Sequence, residues 1–211
     1  MKKFILPLML LLLVGALSAV ESDPSAVVGY VKYDLLAGYN TIAVPMEQGY
    51  ALASQVGDAI GATAVLHFNA STQEWEGISA FPWGGWDSDF AVPNGQALWV
   101  SLDAAGSFYS IGDLPATEPT YALLAGYNMI MVPLNRSDLT GAALVGDSVG
   151  ATAVLHFNAS TQEWESISAF PWGGWDSDFA TSIGNPLWVS TDNAGNWPST
   201  GIPAMSSKDT K

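Results

Sequence analysis

The chain has 211 residues, of which 49% are apolar and nine are tryptophan, so it can bury a substantial core and is not a disordered protein. It contains no cysteine, which excludes disulfides and the cysteine-linked lipid anchor of bacterial lipoproteins. All twenty Asp and Glu follow the first nineteen residues, where only four Lys and Arg oppose them. The resulting net charge of −16 disfavours nucleic acid and anionic lipid as partners.

Residues 1–19 are predicted to be a secretory signal peptide. Lys2 and Lys3 supply its positive start, an apolar run continues to Val14, and small residues near Ala19 suit a signal peptidase. The run is shorter than the roughly 20 residues that span a bilayer. We therefore expect cleavage, a secreted or cell-surface location and no later membrane span. An uncleaved N-terminal anchor is the alternative.

The remainder of the chain is a tandem duplication. Residues 61–91 recur at 150–180 with one difference, Gly77 against Ser166, so a whole domain-sized unit is repeated. The predicted organisation is a polar lead (20–27), a first repeat (28–114), a linker (115–120), a second repeat (121–204) and a flexible tail (205–211).

Each repeat is predicted to open with two strands. Val31, Tyr33 and Leu35 alternate with polar residues, which is the period of a strand. The Ala-Gly-Tyr-Asn sequence at 37–40 and 125–128 predicts a turn, and a second strand follows at 41–44 and 129–132 before a proline.

A short helix is predicted next. Val56 and Ile60 are four residues apart, and Gly61 is placed to end the helix; Val145, Val149 and Gly150 repeat the pattern. Ser137 is the predicted N-cap in the second repeat. Gly57 and Gly146 inside these segments argue against a helix.

A hairpin follows in each repeat. Two apolar segments flank Asn-Ala-Ser-Thr-Gln, and a four-residue turn would pair Phe68 with Trp75 in the core and His67 with Glu76 on the other face. The duplicate pairs are Phe157 with Trp164 and His156 with Glu165. Each repeat ends with a buried Leu-Trp-Val strand and one further strand. About six short strands and one helix per repeat predict two tandem homologous, mainly β domains of sandwich or barrel type.

The ordered motifs resemble those of small β-rich modules that recur in secreted bacterial surface proteins. The resemblance rests on Gly-Tyr-Asn-x-Ile-x-Val-Pro at 38–45 and 126–133, the hairpin with its aromatic pair, Asp89-Phe90 with its duplicate, and Leu-Trp-Val. The chain has Tyr where those modules usually have Trp, and it lacks their Gly-x-Gly before the closing strand. The resemblance implies an extracellular, non-enzymatic module and carries no catalytic residues.

A Trp- and Gly-rich loop, Phe-Pro-Trp-Gly-Gly-Trp-Asp-Ser-Asp-Phe, is the candidate binding site at 81–90 and 170–179. Flat indole faces pack against sugar C–H groups, and carboxylates accept hydrogen bonds from hydroxyls. In the competing interpretation the indoles cover the core and the carboxylates cap backbone N–H groups. The candidate residues are Trp83, Trp86, Asp87, Asp89, Trp172, Trp175, Asp176 and Asp178.

Other chemistry is weakly represented. Asp87 and Asp89 supply too few of the six or more oxygens that calcium needs, and the His67–Glu76 pair is typical of a strand surface rather than of zinc or acid–base catalysis. The sequence has no cysteine nucleophile, Gly-x-Ser-x-Gly elbow, P-loop or His-Glu-x-x-His motif. We expect no catalytic residues, metal or cofactor.

These observations favour an exported, non-enzymatic structural or interaction protein of the bacterial cell surface or extracellular matrix, partnered by itself or by another surface protein. The first alternative is a bivalent carbohydrate-binding protein that uses the Trp-rich loops on a polysaccharide. The second is a secreted hydrolase. Residues 71–74 should be solvated, yet they are identical in the second copy. Recent recombination or a shared ligand would explain this identity.

Overall fold

The computed structural model describes residues 28–47 and 49–198. The predicted signal peptide, polar lead and flexible tail lie outside these residues. Within them the protein is mainly β, with six strands and one helix in each repeat, which confirms the predicted fold class. None of the helices in the described part of the chain is both long and apolar enough to cross a membrane.

The elements follow the same order in both repeats. The first repeat contains β1 (Val28–Leu35), β2 (Gly38–Ala43), α1 (Ala53–Ile60), β3 (Ala62–Asn69), β4 (Glu74–Ser79), β5 (Ala97–Leu102) and β6 (Gly106–Asp113). The second contains β7 (Tyr121–Leu123), β8 (Gly126–Met131), α2 (Ala142–Val149), β9 (Ala151–Asn158), β10 (Glu163–Ser168), β11 (Pro186–Thr191) and β12 (Gly195–Trp197).

Each repeat has one four-stranded antiparallel sheet and one two-stranded ribbon. The strand orders are β2-β5-β3-β4 and β10-β9-β11-β8, and the ribbons pair β1 with β6 and β7 with β12. The first ribbon extends over eight residue pairs and the second over three. The ribbons are therefore where the two repeats differ most in architecture.

The hairpin register agrees with the sequence. Phe68 pairs with Trp75 and His67 with Glu76 around a four-residue turn, and the second repeat shows the duplicate pairs. The predicted turn at 37–40 is wrong in position, because β2 already begins at Gly38. Asn40 is buried in that strand, where its side chain bonds the N–H and the carbonyl of Leu36 and so closes the turn from within the strand.

One face of each sheet packs against the helix of the same repeat. In the first repeat Ile42, Val65 and Val100 are fully buried together with Val56 of α1. Gly61 ends α1 with φ of 66°, as predicted, since glycine adopts the left-handed conformation at no steric cost. Burying one helical stripe on an apolar sheet face stabilises a helix too short to persist alone.

The predicted N-cap at Ser137 is wrong, because α2 begins five residues later. The N–H of Ala142 donates to the carbonyl of Phe179, and the N–H of Ala143 donates to Asp178 at 3.0 Å. The cap therefore comes from the Trp-rich loop, 35 residues away along the chain. Local capping rules read only neighbouring residues and could not identify it.

The other faces of the two sheets pack against each other, so the sandwich forms between the repeats. Trp99 lies 5.5 Å from Phe157 between ring centroids, and Phe68 lies 5.0 Å from Trp188, with edge-to-face geometry in both pairs. Such pairs add to the stabilisation that aromatic burial provides. The eight side chains of this aromatic interface are Tyr39, Phe68, Trp75, Trp99, Tyr127, Phe157, Trp164 and Trp188.

A reciprocal glutamine clamp joins the repeats beside the aromatic interface. The side chain of Gln162 accepts from the N–H of Tyr39 at 2.7 Å and donates to its carbonyl at 3.0 Å. Gln73 makes the same two bonds to Tyr127 at 2.8 and 2.9 Å. Gln73 is therefore not a freely solvated loop residue, and the contact between the repeats offers a structural reason for its identity in the two copies.

Two tyrosines, Tyr33, which is buried, and Tyr121, which is half-buried, form a second reciprocal pair of contacts. The hydroxyl of Tyr33 donates to the carbonyl of Gly184 in the second repeat, and that of Tyr121 donates to Gly95 in the first, both at 2.8 Å. Burial raises the pKa of both phenols, so both remain protonated donors. The repeats thus meet through equivalent contacts on each side, as the subunits of a two-fold dimer do.

Shortening both clamp residues should destabilise the protein. Asparagine tolerates the left-handed backbone that Gln73 and Gln162 adopt, at φ of 58° and 59°, but is too short to reach the other repeat. We expect Gln73→Asn with Gln162→Asn to lower the free energy of unfolding by about 1–3 kcal/mol in urea titrations, since each net hydrogen bond contributes about 1 kcal/mol. Thr72→Ala, in the same turn, is the control. Equal stabilities of the clamp variant and the control would contradict this role.

Candidate functional site

The Trp-rich loop is a tight hairpin that extends from β4. The N–H of Phe81 donates to the carbonyl of Gly85 at 2.9 Å, and the N–H of Gly84 donates to the carbonyl of Phe81 at 2.9 Å. Gly84 and Gly85 have φ of 94° and 84°, which side chains disfavour, so the two glycines make the turn possible. The second repeat forms the same bonds, so both loops have one defined shape.

The tip of each loop carries an exposed aromatic platform, which consists of Phe81 with Trp83 in the first repeat and Phe170 with Trp172 in the second. The rings in each pair stack with centroids 5.1 Å apart and planes inclined by 8°. Each tryptophan is 81% exposed, and each phenylalanine is 39% exposed. Large indoles are rarely so exposed in a packed domain, and the neighbouring ring holds each one in a fixed orientation.

The other tryptophan of each loop faces inward. Trp86 packs against the core of the first repeat and donates its indole N–H to Asp58 on α1 at 3.0 Å. Trp175 does the same with Asp147 at 2.9 Å. The two predicted interpretations of the loop therefore each describe one of its tryptophans: the first indole is exposed, and the second covers the core.

The first carboxylate of each loop fixes the loop to its own strand. Asp87 accepts from the N–H of Ser79 at 2.9 Å, and Asp176 accepts from Ser168 at 2.9 Å. In both residues Oδ1 makes this bond, and no bond to Oδ2 occurs within the described ranges. Asp87 and Asp176 are exposed, so one oxygen of each carboxylate stays available to solvent.

The second carboxylate of each loop holds the start of the helix. Asp89 accepts from the N–H and the hydroxyl of Ser54 and from the N–H of Phe90. Desolvation acts to raise the pKa of Asp89, but the hydrogen bonds from Ser54 and Phe90 together outweigh it and hold the pKa below its usual value. A carboxylate at a helix N-terminus is also favoured by the helix dipole. Asp89 and Asp178 therefore position the loop against the helix.

Neutralising Asp89 should change how stability depends on pH. Because its pKa is lower in the folded state, its contribution is fully present above the unfolded pKa of about 4 and is lost as the pH falls through the folded value. We expect Asp89→Asn to destabilise the protein at pH 7 and to differ little from the parent near pH 2, as measured by urea midpoints. Asp103→Asn, at an exposed carboxylate without a hydrogen-bond partner in the described ranges, is the control. A difference that is constant across this range would contradict the prediction.

The His–Glu pairs lie beside the loops rather than at the platforms. His67 packs against Phe90 with tilted rings whose centroids lie 4.5 Å apart, and it lies 3.5 Å from Glu76. His156 lies 2.9 Å from Glu165, and hydrogen bonds from Asn158 and then His156 lower the pKa of that carboxyl. Within the described residues, no group of three or more His, Cys, Asp or Glu is arranged to hold a metal ion.

Two clefts lie between the repeats, at equivalent positions. One, of about 410 Å³, is lined by His67 of the first repeat and Tyr121 of the second. The other, of about 140 Å³, is lined by Tyr33 and His156. Neither cleft includes a platform residue, and the platforms are therefore distinct from both clefts.

The structure brings the predicted candidates together in two equivalent loops but gives them different positions. Trp83 and Trp172 present a free surface, and Trp86 and Trp175 pack against the core. The four carboxylates accept hydrogen bonds from the backbone. Sequence reasoning did not select Phe81 and Phe170, which support the exposed indoles. The signal was available, since each lies two residues before its tryptophan with a proline between them.

Comparison with protein-family models, curated proteins and solved structures finds no match for this chain.

Proposed function

We propose that this is an exported, non-enzymatic interaction protein of the bacterial cell surface or extracellular matrix, which binds an extracellular polysaccharide through two identical aromatic platforms. The observation that supports the proposal is the 81% exposure of Trp83 and Trp172, each stacked on a phenylalanine at the tip of a rigid loop. A flat indole with one open face is the surface on which sugar rings stack.

The paired arrangement suits a repetitive ligand. One platform buries little area and would bind a sugar weakly. Two platforms on one chain can bind the same polymer at once, and this avidity raises the apparent affinity. The glutamine clamp and the aromatic interface hold the repeats together, so the two platforms have a fixed separation. A polymer with many equivalent binding positions can engage both.

Co-sedimentation tests this function. The chain lacking residues 1–19 is incubated with insoluble cellulose, chitin and chitosan, and the bound fraction is measured. We expect pelleting with at least one polymer and loss of pelleting in Trp83→Ala with Trp172→Ala, with the fold retained by circular dichroism. Tyr30→Ala, which removes an aromatic ring that is 67% exposed elsewhere, should bind like the parent. Equal pelleting of the double variant and the parent would contradict the proposal.

Self-association is a second candidate function, favoured by the outer face of the β1–β6 ribbon. Tyr30, Tyr109 and Ile111 are 67%, 46% and 52% exposed there, around an ion pair of Lys32 with Asp34 at 2.6 Å. A contiguous apolar face of this kind is typical of interaction surfaces. A second copy related by a two-fold axis would meet this face with matching apolar residues and charges of both signs.

Sedimentation velocity over a range of concentrations tests the second candidate. We expect the dimer fraction of the parent to rise with concentration. We expect no dimer in Ile111→Ser, because the side chain of Ile111 lies on the exposed face. Short tethers produce local concentrations of about a millimolar, so this is the upper limit of the test. A parent protein that stays monomeric up to this concentration would contradict self-association.

A further inference from the structure

The loops that carry the platforms are acidic. Each loop carries two exposed carboxylates, Asp87 and Asp89 in the first repeat, and its inward tryptophan binds a third, Asp58, on the neighbouring helix. Asp176, Asp178 and Asp147 occupy the same positions in the second repeat. No lysine or arginine lies on either loop, so the segment that carries each platform bears carboxylates and no cationic side chain.

The cations of the described residues are already paired. Lys32 lies 2.6 Å from Asp34, and Arg136 lies 2.8 Å from Asp138. The rest of the chain carries a large excess of acid, so the field at both platforms is negative. An acidic polysaccharide would be repelled, and a neutral one would gain nothing from this charge.

An exposed indole adds a specific attraction for cations. The face of a tryptophan ring is electron-rich and attracts an ammonium group that lies over it, more strongly than other aromatic rings do. Trp83 and Trp172 are stacked on one side only and remain 81% exposed. The same loops carry the uncommitted oxygens of Asp87 and Asp176, so each loop bears both an exposed π face and a carboxylate.

We infer that the preferred ligand of the two platforms is a polysaccharide that carries free, protonated amines, that is, a polymer of amino sugars that are not N-acetylated. This inference rests on the proposed function, since it names the ligand chemistry of the same platforms. In this arrangement a sugar ring stacks on the indole. The ammonium group of that sugar or of an adjacent one contacts the indole face or a loop carboxylate. N-acetylation removes the charge and leaves the ring, so it separates the two contributions.

Matched beads test the inference: chitosan-coated beads, and the same beads after complete N-acetylation. Binding isotherms of the chain lacking residues 1–19 are measured at about pH 5.5, where amines are protonated and carboxylates stay ionised. We expect about tenfold tighter binding to the amine form, with the difference shrinking as salt screens the charges. Equal or tighter binding to the acetylated beads would overturn the inference and leave the proposed function standing. If the protein bound neither kind of bead and did not bind cellulose, both the inference and the proposed function would be contradicted.

Two variants separate the site from general attraction between opposite charges. Trp83→Ala with Trp172→Ala keeps the net charge, so a preference for amine beads that survives in this variant would overturn the inference. Asp87→Asn with Asp176→Asn keeps an oxygen that accepts from Ser79 and Ser168 but removes two charges. We expect the ratio of its binding to amine beads over acetylated beads to fall about threefold or more below that of the parent. An unchanged preference would contradict the role of these carboxylates.

Discussion

Replacing Trp99 by alanine should lower the free energy of unfolding by about 3–5 kcal/mol, the range for removing a large aromatic side chain from a core. Trp99 lies at the centre of the aromatic interface, with its ring centroid 4.7 Å from that of Trp75 and 5.5 Å from that of Phe157. The truncation removes contacts within the first repeat and across to the second. Urea unfolding followed by far-ultraviolet circular dichroism measures the loss.

The control is the same truncation on an exposed indole. Trp83→Ala should change stability by less than about 0.5 kcal/mol, since its side chain is 81% exposed. Trp99→Phe should cost well below Trp99→Ala, because it keeps a ring and removes a buried indole N–H that has no partner in the described residues. Equal stabilities of Trp99→Ala and Trp83→Ala would contradict the sandwich between the repeats.

Introducing alanine at Gly57 should destabilise the protein although alanine favours helices. A Cβ at this position would lie 2.3 Å from the indole ring of Trp86, which occupies the space beside α1. Overpacking of this kind costs about 1–3 kcal/mol, against a gain of about 1 kcal/mol in helix propensity. We expect a net loss in urea titrations for Gly57→Ala and for Gly146→Ala, where Trp175 lies at 2.2 Å.

A double-mutant cycle shows whether the contact is the cause. Trp86→Ala empties the space beside Gly57, so Gly57→Ala in that background should be neutral or stabilising. The coupling between the two changes should reach about 1–3 kcal/mol, which is typical of residues in direct contact. Additive effects of Gly57→Ala and Trp86→Ala would contradict the close packing of this helix on the indole.

Local sequence patterns were sufficient for the elements but not for their assembly. The hairpin pairs of His67 and Phe68 follow from alternation and turn length, which neighbouring residues determine. The start of α2 does not, because its acceptors come from Asp178 and Phe179 across the fold. Gly57 argued against a helix on propensity alone, and the reason for the glycine is the ring of Trp86. Such contacts between distant residues leave no periodic pattern to read.

The candidate site also has one part that local sequence predicts and one part that depends on contacts between distant residues. Its position in the Trp-rich loop followed from composition, but which indole is exposed depends on the turn at Gly84 and Gly85 and on the packing of Trp86 against the core. The identity of residues 71–74 in the two copies offered recombination or a shared ligand as explanations. The clamp made by Gln73 adds a third, a requirement of the contact between repeats.

In the proposed function, two equivalent platforms act together on one polymer. Binding isotherms of the parent, Trp83→Ala, Trp172→Ala and the double variant, on the polysaccharide that the parent binds, test this joint action. We expect each single variant to bind about a hundredfold more weakly than the parent, by similar factors, because avidity is lost. We expect no detectable binding by the double variant. A single variant that binds like the parent would show that the two platforms do not act together.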